Sequence, residues 1–236
     1  MITTDTKIRE ATRFGILPST ISLKIREPGS AITHFVGLIM MYIGAGPLVM
    51  KTSQNRDGLG TFSMLVFVLA ACLLYAASTT YHTVVLDKRR TTLFRKFDHM
   101  SISIMIAGTY TPICLIVLHS TVGYALLAAV WGLALAGLIL KLLWITCPKW
   151  LSSSIYLMMG WVCVFAFKPL LATLPIAAFG LLLAGGIAYS LGAAIYAMHP
   201  RKFDARHIYF GSHEIFHVCI MIGTLLHYIM LWNYVA

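Results

Sequence analysis

The sequence has few charged residues. Asp, Glu, Lys and Arg make up 11% of its 236 residues, and 59% of the residues are hydrophobic. A soluble domain has about 25% charged and about 45–50% apolar residues, so an ordinary soluble domain is excluded. The composition also argues against disorder and nucleic-acid binding, because both need polar or charged stretches. With a mean hydropathy of +0.82, the chain is predicted to be a membrane protein.

Ordered cysteine patterns are also lacking. The five cysteines are scattered, mostly within apolar runs, and none form a CxxC pair. We therefore expect small core side chains, not disulfides or metal ligands. Residues 1–19 mix both signs of charge and contain no apolar stretch beside a small-residue cleavage site. We expect no removed signal peptide.

Long apolar runs are abundant. A bilayer core about 30 Å thick needs roughly 20 residues of helix. Seven runs have a suitable length: 31–50, 61–86, 98–118, 122–143, 151–167, 174–198 and 211–235. Their short connections predict an all-α fold, a bundle of seven transmembrane helices over residues 31–236. Residues 1–30 would precede it as a cytoplasmic segment, with 13–28 either lying along the membrane surface or forming a polar tail.

The cations predict the orientation of the bundle. Fifteen Lys and Arg side chains fall in the N-terminal segment and in the connections after spans two, four and six, whereas three fall on the opposite side. Lys141 is counted among the fifteen, and Lys168 among the three. Because cations collect in cytoplasmic loops, the N-terminus is predicted to be cytoplasmic and the C-terminus outside.

Ionisable side chains inside membrane spans are costly and often functional. Under the predicted topology, polar side chains from three distant stretches of sequence lie at one membrane depth, near the cytoplasmic face. They are Ser78, His82, Asp98, His99, His213, Glu214 and His217.

The spacing within this set indicates a metal site. His213 and His217 are four residues apart, as are Ser78 and His82, so each pair shares one helix face. Three imidazoles and one water make a four-coordinate zinc site of the catalytic type. We expect His82, His213 and His217 as ligands, Asp98 to handle a proton of the water, and Ser78 to donate a hydrogen bond.

The other histidines receive a simpler interpretation. His99 lies about 100° around the helix from Asp98, which predicts a packing or interfacial role. Five further histidines have no partner at ligand spacing and are interpreted as packing or surface residues. These are His34, His119, His199, His207 and His227.

A competing hypothesis comes from the same segment. Residues 213–217 spell H-E-x-x-H, in which Glu214 would be the general base of an intramembrane zinc protease. The chain has no further protease element after this motif to supply a third ligand, which makes the protease the weaker alternative.

The polar motifs, taken in order, resemble a known family. They are Ser78-x-x-x-His82, then Phe97-Asp98-His99 running into Gly108-Thr109-Tyr110-Thr111-Pro112, then His213-x-x-x-His217. This order is similar to the hemolysin III proteins, the bacterial branch of the progestin and adiponectin receptor superfamily, which is distantly similar to the alkaline ceramidases. The resemblance implies a seven-helix bundle in a bacterial inner membrane, with a cytoplasmic-side zinc on the three histidines and Asp98 and Ser78 close by.

The leading hypothesis is a zinc-dependent membrane hydrolase that cleaves a lipid amide or ester. Its partners would be membrane lipids and a lipid substrate, and no nucleic acid. One alternative is a sensor, regulator or receptor of membrane state with a structural zinc. Another is a membrane-lytic hemolysin, against which no helix shows a polar stripe through the whole membrane.

Overall fold

A computed structural model describes residues 25–198 and 201–236. Over these ranges the protein is helical and has no strand. Seven helices are long and apolar enough to cross a membrane, which confirms the predicted number. They are Pro28–Asn55, Gly58–Thr83, Lys88–Leu118, Thr121–Leu143, Lys149–Thr173, Ile176–Met198 and Ser212–Tyr234, the first to seventh spans. A short helix, Arg201–Arg206, precedes the seventh span. Most of the predicted surface segment 13–28 lies outside the described residues.

Short polar caps end the connections. Asp57 accepts a hydrogen bond from the Gly60 amide at the start of the second span, at 2.8 Å. Asp87 does the same for the Arg90 amide at the start of the third, at 3.0 Å. Since the first helical amides have no partner within the helix, an acidic N-cap satisfies them and fixes where the chain turns.

The seven spans close into one bundle. Sequential spans pack against each other, and the seventh returns to pack on the first. The third span lies at the centre and is the most buried. It approaches the second span closely, since a Cβ on Gly108 would lie 2.5 Å from that of Ala70. Large apolar side chains such as Leu69 and Phe165 are exposed on the outside, as lipid contact requires.

The third span differs from its predicted bounds. Its helix begins at Lys88, ten residues before the expected start, because hydropathy locates the apolar part of a helix and not its charged first turns. At its other end, Pro112 lacks an amide proton, and the chain continues as a π-helical segment, Ile113–Leu118.

The fifth span is interrupted. An α-helix, Lys149–Trp161, passes through a 3₁₀ segment, Val162–Ala166, into Phe167–Thr173. Lys168 therefore lies within a helix and not in the connection where the sequence analysis placed it. The Tyr110 hydroxyl donates to the Gly160 carbonyl and accepts from the Cys163 amide. Backbone groups released at such a break need partners inside a membrane, and Tyr110 supplies them.

Candidate metal centre

Three histidine side chains meet at one end of the bundle. His82 comes from the end of the second span, and His213 and His217 come from the start of the seventh. One ring nitrogen of each lies within 4.8 Å of the others, and Nε2 of His82 is 3.3 Å from Nε2 of His213. Two nitrogens at tetrahedral positions around one zinc ion would be about 3.3–3.4 Å apart. The three side chains therefore fit a metal ion.

The first span orients two of these rings. Nδ1 of His82 is hydrogen-bonded to the carboxylate of Glu27, which is 3% exposed. Nδ1 of His217 lies 3.0 Å from the Thr33 hydroxyl, which donates to the Gly29 carbonyl. The hydroxyl thus accepts from Nδ1–H. In both rings Nε2 keeps its lone pair for a metal, the arrangement that histidine ligands usually have.

Sequence analysis missed these supporting residues. Glu27, Ser30 and Thr33 stand at the start of the first span and recur every three residues, so they share one helix face. This periodic polar face on an apolar helix was the available signal. Residues at a helix start are commonly interfacial, which hid the signal.

His34 also belongs to this region, where it is a buried packing residue as expected. Its ring stacks on that of His217, with centroids 3.5 Å apart, and makes a T-shaped contact with the ring of Tyr75, with centroids 5.2 Å apart. Neither of its buried ring nitrogens has a hydrogen-bond partner within the part of the chain that the structure describes. The stack fixes the position of the His217 ring. His199 lies outside the described residues.

A cavity of about 130 Å³ opens beside the histidines. Ser78, Asp98, His213 and His217 line one end of it. It extends between the third, fifth, sixth and seventh spans as far as His227, about 21 Å from His213 along the seventh helix. Its walls between these points include apolar side chains, among them Ile102, Met105, Ile106, Leu157, Phe216 and Ile220.

The two other predicted site residues face this cavity. The Ser78 hydroxyl is buried and has no hydrogen-bond partner among the described residues. Asp98 is 7% exposed, and its Oδ2 accepts from Nδ1 of His99 at 3.2 Å. The expectation that His99 faces elsewhere was wrong, because adjacent side chains on a helix can still bend together. Tyr156 donates to the His99 carbonyl at 2.9 Å and holds this segment in place.

Glu214 has structural hydrogen bonds. Its carboxylate accepts from the Gly211 amide at 2.7 Å, as a helix cap, and from the Ser30 hydroxyl. The second contact ties the seventh span to the first. A carboxylate engaged in this way is poorly placed to act as the base of an H-E-x-x-H protease.

Comparison with known proteins gives a consistent relationship. The family model described as haemolysin-III related matches residues 23–228. The chain belongs to the haemolysin-III family. It is 34% identical to the hemolysin-3 homolog of Bacillus subtilis (strain 168), over 84% of this chain and 89% of that protein. It is also 34% identical to hemolysin-3 of Bacillus cereus, over 89% of this chain and 91% of that protein.

More distant similarity reaches the receptor superfamily. The progestin and adipoQ receptor-like protein 1 of Caenorhabditis elegans is 24% identical over 86% of this chain and 50% of its own length. No solved structure matches the chain. Family membership and the seven apolar helices make this haemolysin-III protein a multi-pass protein of the bacterial cell membrane. Which terminus is cytoplasmic stays a prediction from the positive-inside rule.

Proposed function

We propose that this protein is a zinc-dependent integral membrane hydrolase that cleaves an amide or ester bond of a lipid. The observation that carries the proposal is the cavity. Its polar end brings together His213, His217, Asp98 and Ser78, and apolar walls run from there into the bundle. A lipid can place its acyl chain along such walls with its carbonyl group at the polar end.

His82, His213 and His217 would hold the metal. Zinc, when bound to three histidines, polarises a carbonyl and lowers the pKa of water to about 7. Glu27 and Thr33 hold the rings of His82 and His217, which keeps their Nε2 lone pairs available.

Asp98 would move the proton. His99 occupies Oδ2, which leaves Oδ1 to take a proton from the attacking water and return it to the departing nitrogen or oxygen. The bond from water oxygen to the carbonyl carbon forms, and the amide or ester bond breaks. The Ser78 hydroxyl, which has no hydrogen-bond partner among residues 25–198 and 201–236, would donate a hydrogen bond to the oxyanion that develops on the carbonyl.

The test is hydrolysis by the purified, zinc-loaded protein in lipid vesicles. The substrates are a ceramide and a phospholipid, and the variants are Asp98→Asn and Asp87→Asn. Loss of a general acid–base costs about 10²- to 10⁴-fold in rate, so we expect that loss in Asp98→Asn with its zinc retained. Asp87 is exposed at a helix start, and its variant should keep wild-type activity.

Unchanged hydrolysis in Asp98→Asn would refute the role of Asp98. A folded, zinc-loaded wild type that cleaves no lipid amide or ester would refute the hydrolase, and would favour a sensor or receptor with a structural metal.

A further inference from the structure

A second polar cluster lies at the same end of the bundle. Lys141, in the last turn of the fourth span, is 2% exposed. Its Nζ is 3.0 Å from Sγ of Cys147 and 2.5 Å from Oγ of Ser152. The sulfur and the Ser152 oxygen are themselves 3.0 Å apart. The three polar atoms form a closed triangle, which we call the lysine–cysteine cluster.

This position corrects one expectation and adds to another. Lys141 was predicted to be a loop cation, and Cys147 a small core side chain. Lys141 instead points inward, and Cys147 lies in the connection between the fourth and fifth spans. The cysteine is buried, as expected, and it also touches a buried cation.

A buried ammonium group needs a compensating negative charge. Over residues 25–198 and 201–236, no carboxylate forms an ion pair with Lys141. Ser152 is a neutral hydroxyl. Among the described residues that touch Nζ, only Cys147 has a side chain that becomes an anion near neutral pH.

The other charged and titratable groups around the cluster are one cation, two tyrosines and a carboxylate that is paired with a histidine. Arg95 of the third span adds a second positive charge. Tyr156 of the fifth span and Tyr196 of the sixth face the cluster as phenols. Asp98 is paired with His99. Burial raises the pKa of the Cys147 thiol, but the hydrogen bonds from Lys141 and Ser152 and the charge of Lys141 outweigh it, so this pKa lies below its usual value.

We propose that Cys147 is a thiolate at rest, ion-paired with Lys141, and that it is a modification site for small disulfides. Cys147 lies in the connection between two spans, at the end of the bundle, and is 6% exposed. The other cysteines lie within membrane spans.

The reaction is thiol–disulfide exchange. The Cys147 sulfur attacks one sulfur of the disulfide and forms a new S–S bond. The S–S bond of the reagent breaks, and its other half leaves as a thiolate. Cys147 is oxidised and the leaving half is reduced, so no other oxidant is needed and no proton moves. Once the sulfur is modified, Lys141 loses its counter-charge.

The test is the rate of Cys147 alkylation by iodoacetamide between pH 5.5 and 9, measured peptide by peptide by mass spectrometry. The full-length protein is compared with Lys141→Met, which keeps the length of the side chain and removes the charge. One pKa unit changes the thiolate fraction tenfold. We therefore expect wild-type Cys147 to react at least about tenfold faster than the variant at pH 6.

Two further variants control for folding and for nearby charge. Lys149→Met removes a cation two residues from Cys147. Nζ of Lys149 lies over the Tyr196 ring, 4.8 Å from its centroid. In this variant Cys147 should react at the wild-type rate. Ser152→Ala keeps the ammonium and should lie closer to wild type than to Lys141→Met. Glutathione disulfide should then add one glutathione to Cys147 of the folded protein.

Two results would overturn the proposal. One is a wild-type rate that rises tenfold per pH unit up to pH 8.5 and equals that of Lys141→Met. The other is a Cys147 that glutathione disulfide leaves unmodified in the folded protein but modifies after denaturation.

Discussion

The two buried polar clusters at this end of the bundle differ in how their atoms are partnered. In the histidine cluster, outside groups hold the Nδ1 atoms of His82 and His217, and one ring nitrogen of each of the three histidines lies within 4.8 Å of the others. In the lysine–cysteine cluster, the three polar atoms bond to each other. The first arrangement leaves lone pairs for an added cation. The second balances its own charge and needs none.

The largest effect on the protein is expected when one partner is removed from the lysine–cysteine cluster. Cys147→Ala would leave a buried ammonium without a counter-charge. The protein could avoid this charge by deprotonating the lysine, and deprotonating an amine of ordinary pKa at pH 7 costs at most about 4.6 kcal/mol. We expect a loss of about 2–4 kcal/mol in the free energy of unfolding, measured by denaturation in detergent. Lys141→Met should cost less, because the remaining thiol becomes neutral easily.

The double variant Cys147→Ala/Lys141→Met is the control for this comparison. With both charges gone, most of the lost stability should return. If the double variant is less stable than Cys147→Ala, the cluster is not an ion pair.

A smaller effect is expected when a residue that orients the rings of the histidine cluster is changed. Glu27→Gln keeps the size of the side chain but removes the charge that holds His82. Removing a group that orients a metal-binding histidine typically costs 10- to 100-fold in metal affinity. Zinc titration against a competing chelator measures it, with Asp57→Asn as the matched carboxylate at the other membrane face. Equal zinc affinity in Glu27→Gln and wild type would show that Glu27 does not support the metal site.

The smallest effect on zinc affinity is expected from the Thr33 hydroxyl, the uncharged group that orients His217. Thr33→Val keeps the shape and removes the hydroxyl that accepts from His217. A neutral hydrogen bond contributes about 0.5–1.5 kcal/mol, so zinc affinity should fall about two- to tenfold in the same titration. A loss larger than that of Glu27→Gln would reverse the ranking of charged over neutral support.

The histidine cluster was predictable from the sequence because its histidines have a recognisable spacing and membrane depth. Hydropathy placed His82 and the His213–His217 pair at the same depth, and spacing of four residues put the pair on one face. The seven spans followed from the same hydropathy. Glu27 and Thr33 were not predicted, since their relation to the histidines exists only after the first span packs on the second and seventh.

The lysine–cysteine cluster could not be predicted from the sequence. Lys141 lies close to a predicted helix end, where lysines are normally solvated, and Cys147 lacks a CxxC partner. The turn between the fourth and fifth spans brings them together. The helix start at Lys88 and the break at Val162 were missed for a related reason, because hydropathy does not report helix caps or backbone partners such as Tyr110.

The most direct test of the central claim is the metal content of the purified protein, measured by elemental mass spectrometry for wild type, His82→Ala, His213→Ala and His119→Ala. His119 is an exposed histidine at the other end of the bundle. About one zinc per chain in wild type and His119→Ala, and almost none in the other two folded variants, is the predicted result. A folded wild type without metal, or zinc that persists in both His82→Ala and His213→Ala, would contradict a metal site shared by the second and seventh spans.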